Sequence, residues 1–202
     1  MKTKLRIFNI FLVAAIFLTT MNMIDIKTEE KEVSQEEIFE YIIKTENGFR
    51  ADEEVELTQE HYDRVDTFKT EFLYRYEDWT IEPTKYYLND LSYLTRLNNL
   101  ETLVLHIPTE INNFEYDLDY LDQLPYSTLK LTMSRPKNLS EELIKAIQTN
   151  QRTILDTIHR THKIFVEVNK FGNNDNDFLI GYDLAPGITN IKLTETETTS
   201  SS

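Results

Sequence analysis

Leu88, Leu91, Leu94, Leu97, Leu100 and Leu103 stand three residues apart, and Leu105 follows two positions later, so the run ends in Leu-x-x-Leu-x-Leu. In such an ending the last two leucines belong to one short strand and point inward, where a neighbouring unit of the same kind covers them. The return segment closes the other side. A single unit of this kind cannot bury its apolar face alone, so the run commits the chain to a repeated architecture.

Aligning apolar-x-apolar pairs on Leu103-x-Leu105 yields Trp79-x-Ile81 upstream, then Leu129-x-Leu131, Val166-x-Val168 and Ile191-x-Leu193 downstream, at steps of 24, 26, 37 and 25 residues. Three steps fall in the window of a leucine-rich repeat, and the long one holds a helix that starts at Asn138 or Ser140 ahead of Glu141 and Glu142. Leu143, Ile147, Ile154 and Ile158, with Ile144 and Leu155 beside them, form its apolar stripe. The predicted fold is therefore α/β: a short leucine-rich-repeat solenoid, with a parallel sheet on its concave face and a helical N-terminal cap. The array departs from the ideal pattern in two respects. The Leu five positions before the end of each unit becomes Tyr76, Leu100, Tyr126, Lys163 and Ile188, and the turn asparagine is replaced by Pro108, Ser134, Phe171 and Thr196. Ordinary α/β elements remain an alternative for the later units, because such pairs occur in any strand.

The cap begins with Ser34 and Glu37, which fit a capping box, followed by an apolar face of Ile38, Phe39, Ile42 and Ile43 that Asn47-Gly48 ends. A second short helix starts at Thr58, with Glu60 near its positive end and Tyr62, Val65 and Phe68 as its buried side. Ahead of the cap, Lys2, Lys4 and Arg6 precede 18 uncharged residues from Ile7 to Ile24, the pattern of an export signal. No Ala-x-Ala cleavage site follows, so removal and retention as a membrane anchor both stay open. The predicted layout is 1–24 signal peptide or anchor, 25–34 charged tether, 35–77 helical cap, 78–194 degenerate repeats and 195–202 polar tail.

The chain has no cysteine, so it carries neither a disulfide nor the lipid that bacterial lipoproteins attach to one. A cysteine-free exported chain is expected to be bacterial and extracytoplasmic, secreted or held by its N-terminal segment. Its formal charge of −14 falls to −17 once the three basic N-terminal residues are removed. That charge repels nucleic acid and anionic lipid, favours a soluble monomer, and leaves the membrane as a partner only through the N-terminal segment.

Residues 36–105 resemble the N-terminal cap and first repeats of secreted bacterial leucine-rich repeat proteins of the internalin-like kind. Glu56 to Glu60 through Thr67-Phe68 is similar to the helical cap, and Leu88 to Leu103 is similar to one full unit. The resemblance implies a non-enzymatic recognition module for a host or cell-surface protein, without a cofactor.

In a leucine-rich horseshoe the residues flanking and between each inward pair point to the concave face, because side chains alternate along a strand. The expected binding residues are Asp78, Thr80 and Glu82; Thr102, Val104 and His106; Thr128, Lys130 and Thr132; Phe165, Glu167 and Asn169; and Asn190, Lys192 and Thr194. Their mixture of types favours a polar protein contact over a small ligand. An acidic inhibitor or immunity-type protein that blocks a basic enzyme is the alternative, resting on net charge alone.

Chemical motifs are few. His159 and His162, with Asp156 one turn earlier, share a helical face as metal ligands would, but Arg160 and Lys163 among them fit a helix end better. Asn173, Asp175 and Asp177 alternate as in a calcium loop, with Asp183 as a possible extra ligand, yet the glycine and the closing glutamate are missing. Neither pattern nominates a metal, and with no phosphate loop, Gly-x-Ser-x-Gly or His-Glu-x-x-His the chain is expected not to be an enzyme.

Overall fold

The structure is a computed structural model that describes residues 33–74, 84–109, 114–133, 140–160, 162–170 and 184–195. It opens with helix α1 (Gln35–Glu46). Here the Glu37 amide donates to the Ser34 hydroxyl at 3.2 Å and the Ser34 amide to the Glu37 carboxylate at 3.0 Å, the reciprocal box expected. Ile38, Phe39, Ile42 and Ile43 are buried. At its end Gly48 takes φ 81°, which lets the amides of Gly48 and Phe49 reach back to the carbonyls of Thr45 and Lys44.

Helix α2 (Gln59–Asp63) is a single turn. Its Thr58 amide donates to Nδ1 of His61 at 3.0 Å, so an imidazole stands where a capping box usually has a carboxylate. Of the three apolar residues assigned to it only Tyr62 lies in the helix, and that one is half-buried; the helix stops before Val65 and Phe68, which corrects the sequence expectation. Val65 is buried in the connection and Phe68 at the centre of a strand.

Five parallel strands make the main sheet: β1 (Thr67–Lys69), β4 (Thr102–Ile107), β5 (Thr128–Met133), β6 (Ile164–Lys170) and β7 (Ile188–Glu195), lying side by side in chain order. A separate antiparallel hairpin, β2 (Glu71–Tyr74) and β3 (Thr84–Tyr87), interrupts the chain between β1 and β4. Register places Phe68, Leu103, Leu129, Val166 and Ile191 in one row. All but Ile191, on the last strand, are fully buried, each contributing about 1.5–3 kcal/mol. Leu105, Leu131, Val168 and Leu193 form the next row.

The α/β class and the parallel sheet thus match the expectation, and four of the five aligned pairs share it. The strand beside Leu103 is β1, however, and the pair Trp79-x-Ile81 lies outside the described residues. The pairing rule misses β1 because its second inward position is Thr70, fully buried with its hydroxyl 2.7 Å from the Tyr116 hydroxyl and accepting the His106 amide at 2.9 Å.

All seven leucines of the opening run are buried. Leu91–Arg96 is a 3-10 helix, whose three residues per turn set Leu91 above Leu94 on the core side. Asp90 starts it by accepting the Ser92 amide at 2.9 Å, and 27 residues later Asp117 accepts the Asp119 amide at 3.2 Å in the same way. The two aspartates also form an isolated parallel bridge. Beyond Asp117, Leu121, Leu124 and Tyr126 are buried like Leu94, Leu97 and Leu100.

Helix α3 (Glu141–Asp156) is capped by Ser140, whose hydroxyl accepts the Leu143 amide at 3.2 Å. It buries Ile147, Gln151, Ile154 and Leu155, and Ile158 follows just past its end, also buried. Leu143 and Ile144 are only half-buried. Because α3 ends at Asp156, His159 and His162 lie beyond it, and the proposed common helical face with Asp156 does not exist. Lys163 is exposed, and Ile164 fills the apolar position assigned to Lys163, at an irregularity in the pairing of β6 with β7.

Candidate functional site

Alternation along the strands sends the residues between the buried rows to the opposite face of the sheet. Register assembles them into rows that cross all five strands. One row is Thr67, Thr102, Thr128, Phe165 and Asn190. The next is Lys69, Val104, Lys130, Glu167 and Lys192. Beyond it His106 pairs with Thr132 and Asn169 with Thr194. The twelve expected binding residues that lie among the described ones therefore share one face, whereas Asp78, Thr80 and Glu82 lie outside the described residues.

The first row is short and polar apart from Phe165, which is 37% exposed on a strand whose inward neighbours are fully buried. The second row is ionic. Lys130 and Lys192 each stand 3.6 Å from Glu167, one on either carboxylate oxygen. In the third, the Thr194 hydroxyl donates to the Asn169 side-chain oxygen at 2.6 Å.

His106 departs from the expectation of an open face. It is buried, stacked on Tyr87 with ring centroids 5.8 Å apart, because the β2–β3 hairpin folds over this end of the sheet. Its Nδ1 lies 3.2 Å from the Thr132 hydroxyl and 3.5 Å from Oε2 of Glu71. A carboxylate, an imidazole and a hydroxyl in contact resemble a nucleophile relay. A relay, however, uses one ring nitrogen for the acid and the other for the nucleophile, and both contacts here fall on Nδ1. The group ties the hairpin to β4 and β5.

Glu71 is the centre of that tie. Its carboxylate accepts Lys69 at 2.7 Å and faces Lys85 at 3.6 Å. Burial alone would raise its pKa. The Lys69 hydrogen bond and the charges of His106, Lys69 and Lys85 outweigh that and hold it below the ordinary carboxylate value. Sequence reasoning missed Lys69, Glu71 and Lys85. The alternation Thr67-Phe68-Lys69-Thr70-Glu71 was the available signal, obscured because Thr70 rather than an apolar residue faces the core.

Among the described residues no cluster of His, Asp and Glu is arranged to hold a metal ion, and no helix is long and apolar enough to cross a membrane. The calcium-like stretch Asn173 to Asp177, and Asp183, lie outside the described residues. No protein-family model, curated protein or solved structure matches the chain.

Proposed function

We propose that the chain is a short leucine-rich-repeat solenoid acting outside the cytoplasm as a non-enzymatic protein-recognition module, with the outward face of the parallel sheet as its binding surface. The observation that carries this reading is the regular stacking of successive units. The Asp66 carbonyl accepts the amides of Glu101 and Thr102, the Glu101 carbonyl those of Ser127 and Thr128, and the Ser127 carbonyl that of Phe165. β4, β5 and β6 are thus each set against the preceding strand of the sheet by a backbone contact of the same kind, which is how a solenoid propagates. The twin turns at Asp90 and Asp117 repeat one step along.

The side chains on that face suit recognition. Threonines and an exposed Phe165 beside paired charges offer hydrogen bonds, one apolar anchor and a defined electrostatic pattern. Location outside the cytoplasm rests on the N-terminal basic and apolar segment.

The test is position-specific capture. A photo-crosslinking residue replaces Thr102, Thr128 or Asn190 in the full chain, and Lys145 of α3 serves as the control position. On intact cells the face positions are expected to capture one protein and the control position none. Equal capture at all positions, or none at the face, overturns the assignment of the surface. Capture of a basic enzyme whose binding is lost in high salt, independent of the face residues, would instead select the inhibitor reading.

A further inference from the structure

The charges on the outward face are not distributed as on the rest of the molecule. The chain carries −14 overall, yet the described ion pairs of this face contain four lysines and two glutamates. They form two Lys-Glu-Lys bridges of the same design: Lys69 and Lys85 on the two oxygens of Glu71, and Lys130 and Lys192 on the two oxygens of Glu167. The carboxylates are sheltered and the ammonium groups are not. Glu71 and Glu167 are 13% and 22% exposed, whereas Lys69, Lys85, Lys130 and Lys192 are 50%, 40%, 42% and 60% exposed. A partner approaching the sheet therefore meets accessible ammonium groups whose carboxylate partners lie beneath them, and within these four described ion pairs the lysines outnumber the glutamates by two.

Placement adds order to this excess. Lys69, Lys130 and Lys192 share one row on β1, β5 and β7, so successive lysines stand two strands apart, about 10 Å. Val104 separates the first two and Glu167 the last two.

We infer that this row is the docking site for a short acidic segment of a protein partner, laid across the strands so that its carboxylates meet Lys69, Lys130 and Lys192 in turn. The inference rests on the recognition reading above and gives it a partner chemistry. Long polyanions fit less well. The charge of the whole chain repels them over distances that a few-residue segment does not span, and Phe165 with the threonine row beside the lysines matches the mixed side chains of a protein. The basic enzyme that net charge alone suggested is disfavoured at this face.

Fluorescence anisotropy of a labelled octaglutamate peptide with the full chain, kept in non-ionic detergent, tests this. Binding is expected at low salt and should weaken steeply toward physiological salt. Lys69→Gln, Lys130→Gln and Lys192→Gln together should lower affinity about tenfold, since each exposed charge contact is worth about two- to threefold. Lys145→Gln should leave it unchanged. Glu167→Gln should tighten binding, because it removes a counter-charge while keeping both lysines, a gain that damage to the fold would not produce. Circular dichroism and thermal melts of each variant establish that it folds.

Absence of peptide binding, binding indifferent to the triple substitution, or preference for octalysine would overturn the inference. So would equal or tighter binding of heparin or a DNA oligonucleotide through the same lysines. If crosslinking from Thr102 and Thr128 still captures a partner in the triple variant at undiminished yield, the acidic-segment inference fails and the recognition face stands. If neither capture nor peptide binding involves the face, both fail.

Discussion

Arg160 joins two successive units, and its removal should be among the most damaging single changes outside the apolar core. Its side chain is 8% exposed, and its guanidinium donates to the carbonyls of Leu121, at 3.2 Å, Leu124 and Tyr126. The carbon of the same group lies over the Tyr126 ring, 3.6 Å from its centre. These carbonyls belong to the turn that leads into β5, while Arg160 leads into β6, so the contact fixes how one strand follows the other. In Arg160→Met the alkyl packing is largely kept and the donors are lost. Each unpaired carbonyl costs about 1–3 kcal/mol, and release of the buried charge back to water offsets part of the total, leaving about 3 kcal/mol. For a fold of this size that is a fall in Tm of about 6–12 °C. Arg160→Lys, with one ammonium for three carbonyls, should lose about half as much. Asp122→Asn should cost under about 0.5 kcal/mol, because Asp122 is 37% exposed and 3.8 Å from Nε. Thermal and urea unfolding followed by circular dichroism measure all three. A Tm for Arg160→Met within about 2 °C of the parent, or Lys no better than Met, would refute the clamp.

Two further outcomes follow from the same region and its neighbour. Gly187→Ala should destabilise by about 1–3 kcal/mol in urea unfolding, since its new Cβ would stand 3.0 Å from the Arg160 amide nitrogen and 3.1 Å from Ile158 Cγ2. Stability should also fall above pH 10. Burial pushes the hydroxyls of Tyr116 and Tyr126 well above the ordinary tyrosine value, so the unfolded chain releases these protons first; the stabilisation is complete below about pH 10 and is lost as pH rises, by up to about 1.4 kcal/mol per pH unit for each tyrosine. A urea midpoint that stays flat between pH 9 and 11.5, or a slope that Tyr126→Phe leaves unaltered, would contradict it.

The parts of the fold that the sequence made legible are those where local chemistry and burial agree. Ser34 and Glu37 cap the helix that their spacing predicts, and the leucine run is buried along its whole length. Four strands fall in register because inward positions of both members of each pair are apolar. Where a polar residue takes an inward position with its hydrogen bonds satisfied, periodicity fails. Thr70 hides β1 in this way, and with it Lys69 and Glu71. The helix end at Asp156 was equally hidden, because buried Ile158 continues the apolar spacing after the backbone has left the helix. On the outward face, residue type was readable but burial was not: Lys130 and Glu167 appeared as unrelated charges, and His106 as an open one, until the neighbouring strands and the hairpin were in place.

The step between successive strands explains why the face stays continuous despite such unequal units. From Leu103 to Leu129 the chain has 26 residues and from Val166 to Ile191 it has 25, while Phe68 to Leu103 takes 35 and Leu129 to Val166 takes 37. The 26-residue step covers a six-residue strand, and the described residues of its return hold the bridge at Asp117 and a turn over 119–123, with no helix or further strand among them. Each long step has about ten residues more, and the described additions are the β2–β3 hairpin in one and the 16-residue helix α3 in the other. Both leave the backbone after a strand and rejoin it before the next, so the carbonyl-to-amide contacts at Asp66, Glu101 and Ser127 still set the strands side by side. An insertion so placed adds contacts without shifting register. The hairpin therefore brings Glu71, Lys85 and Tyr87 to the edge of the outward face, while Lys69, Lys130 and Lys192 keep the row that the strand spacing dictates.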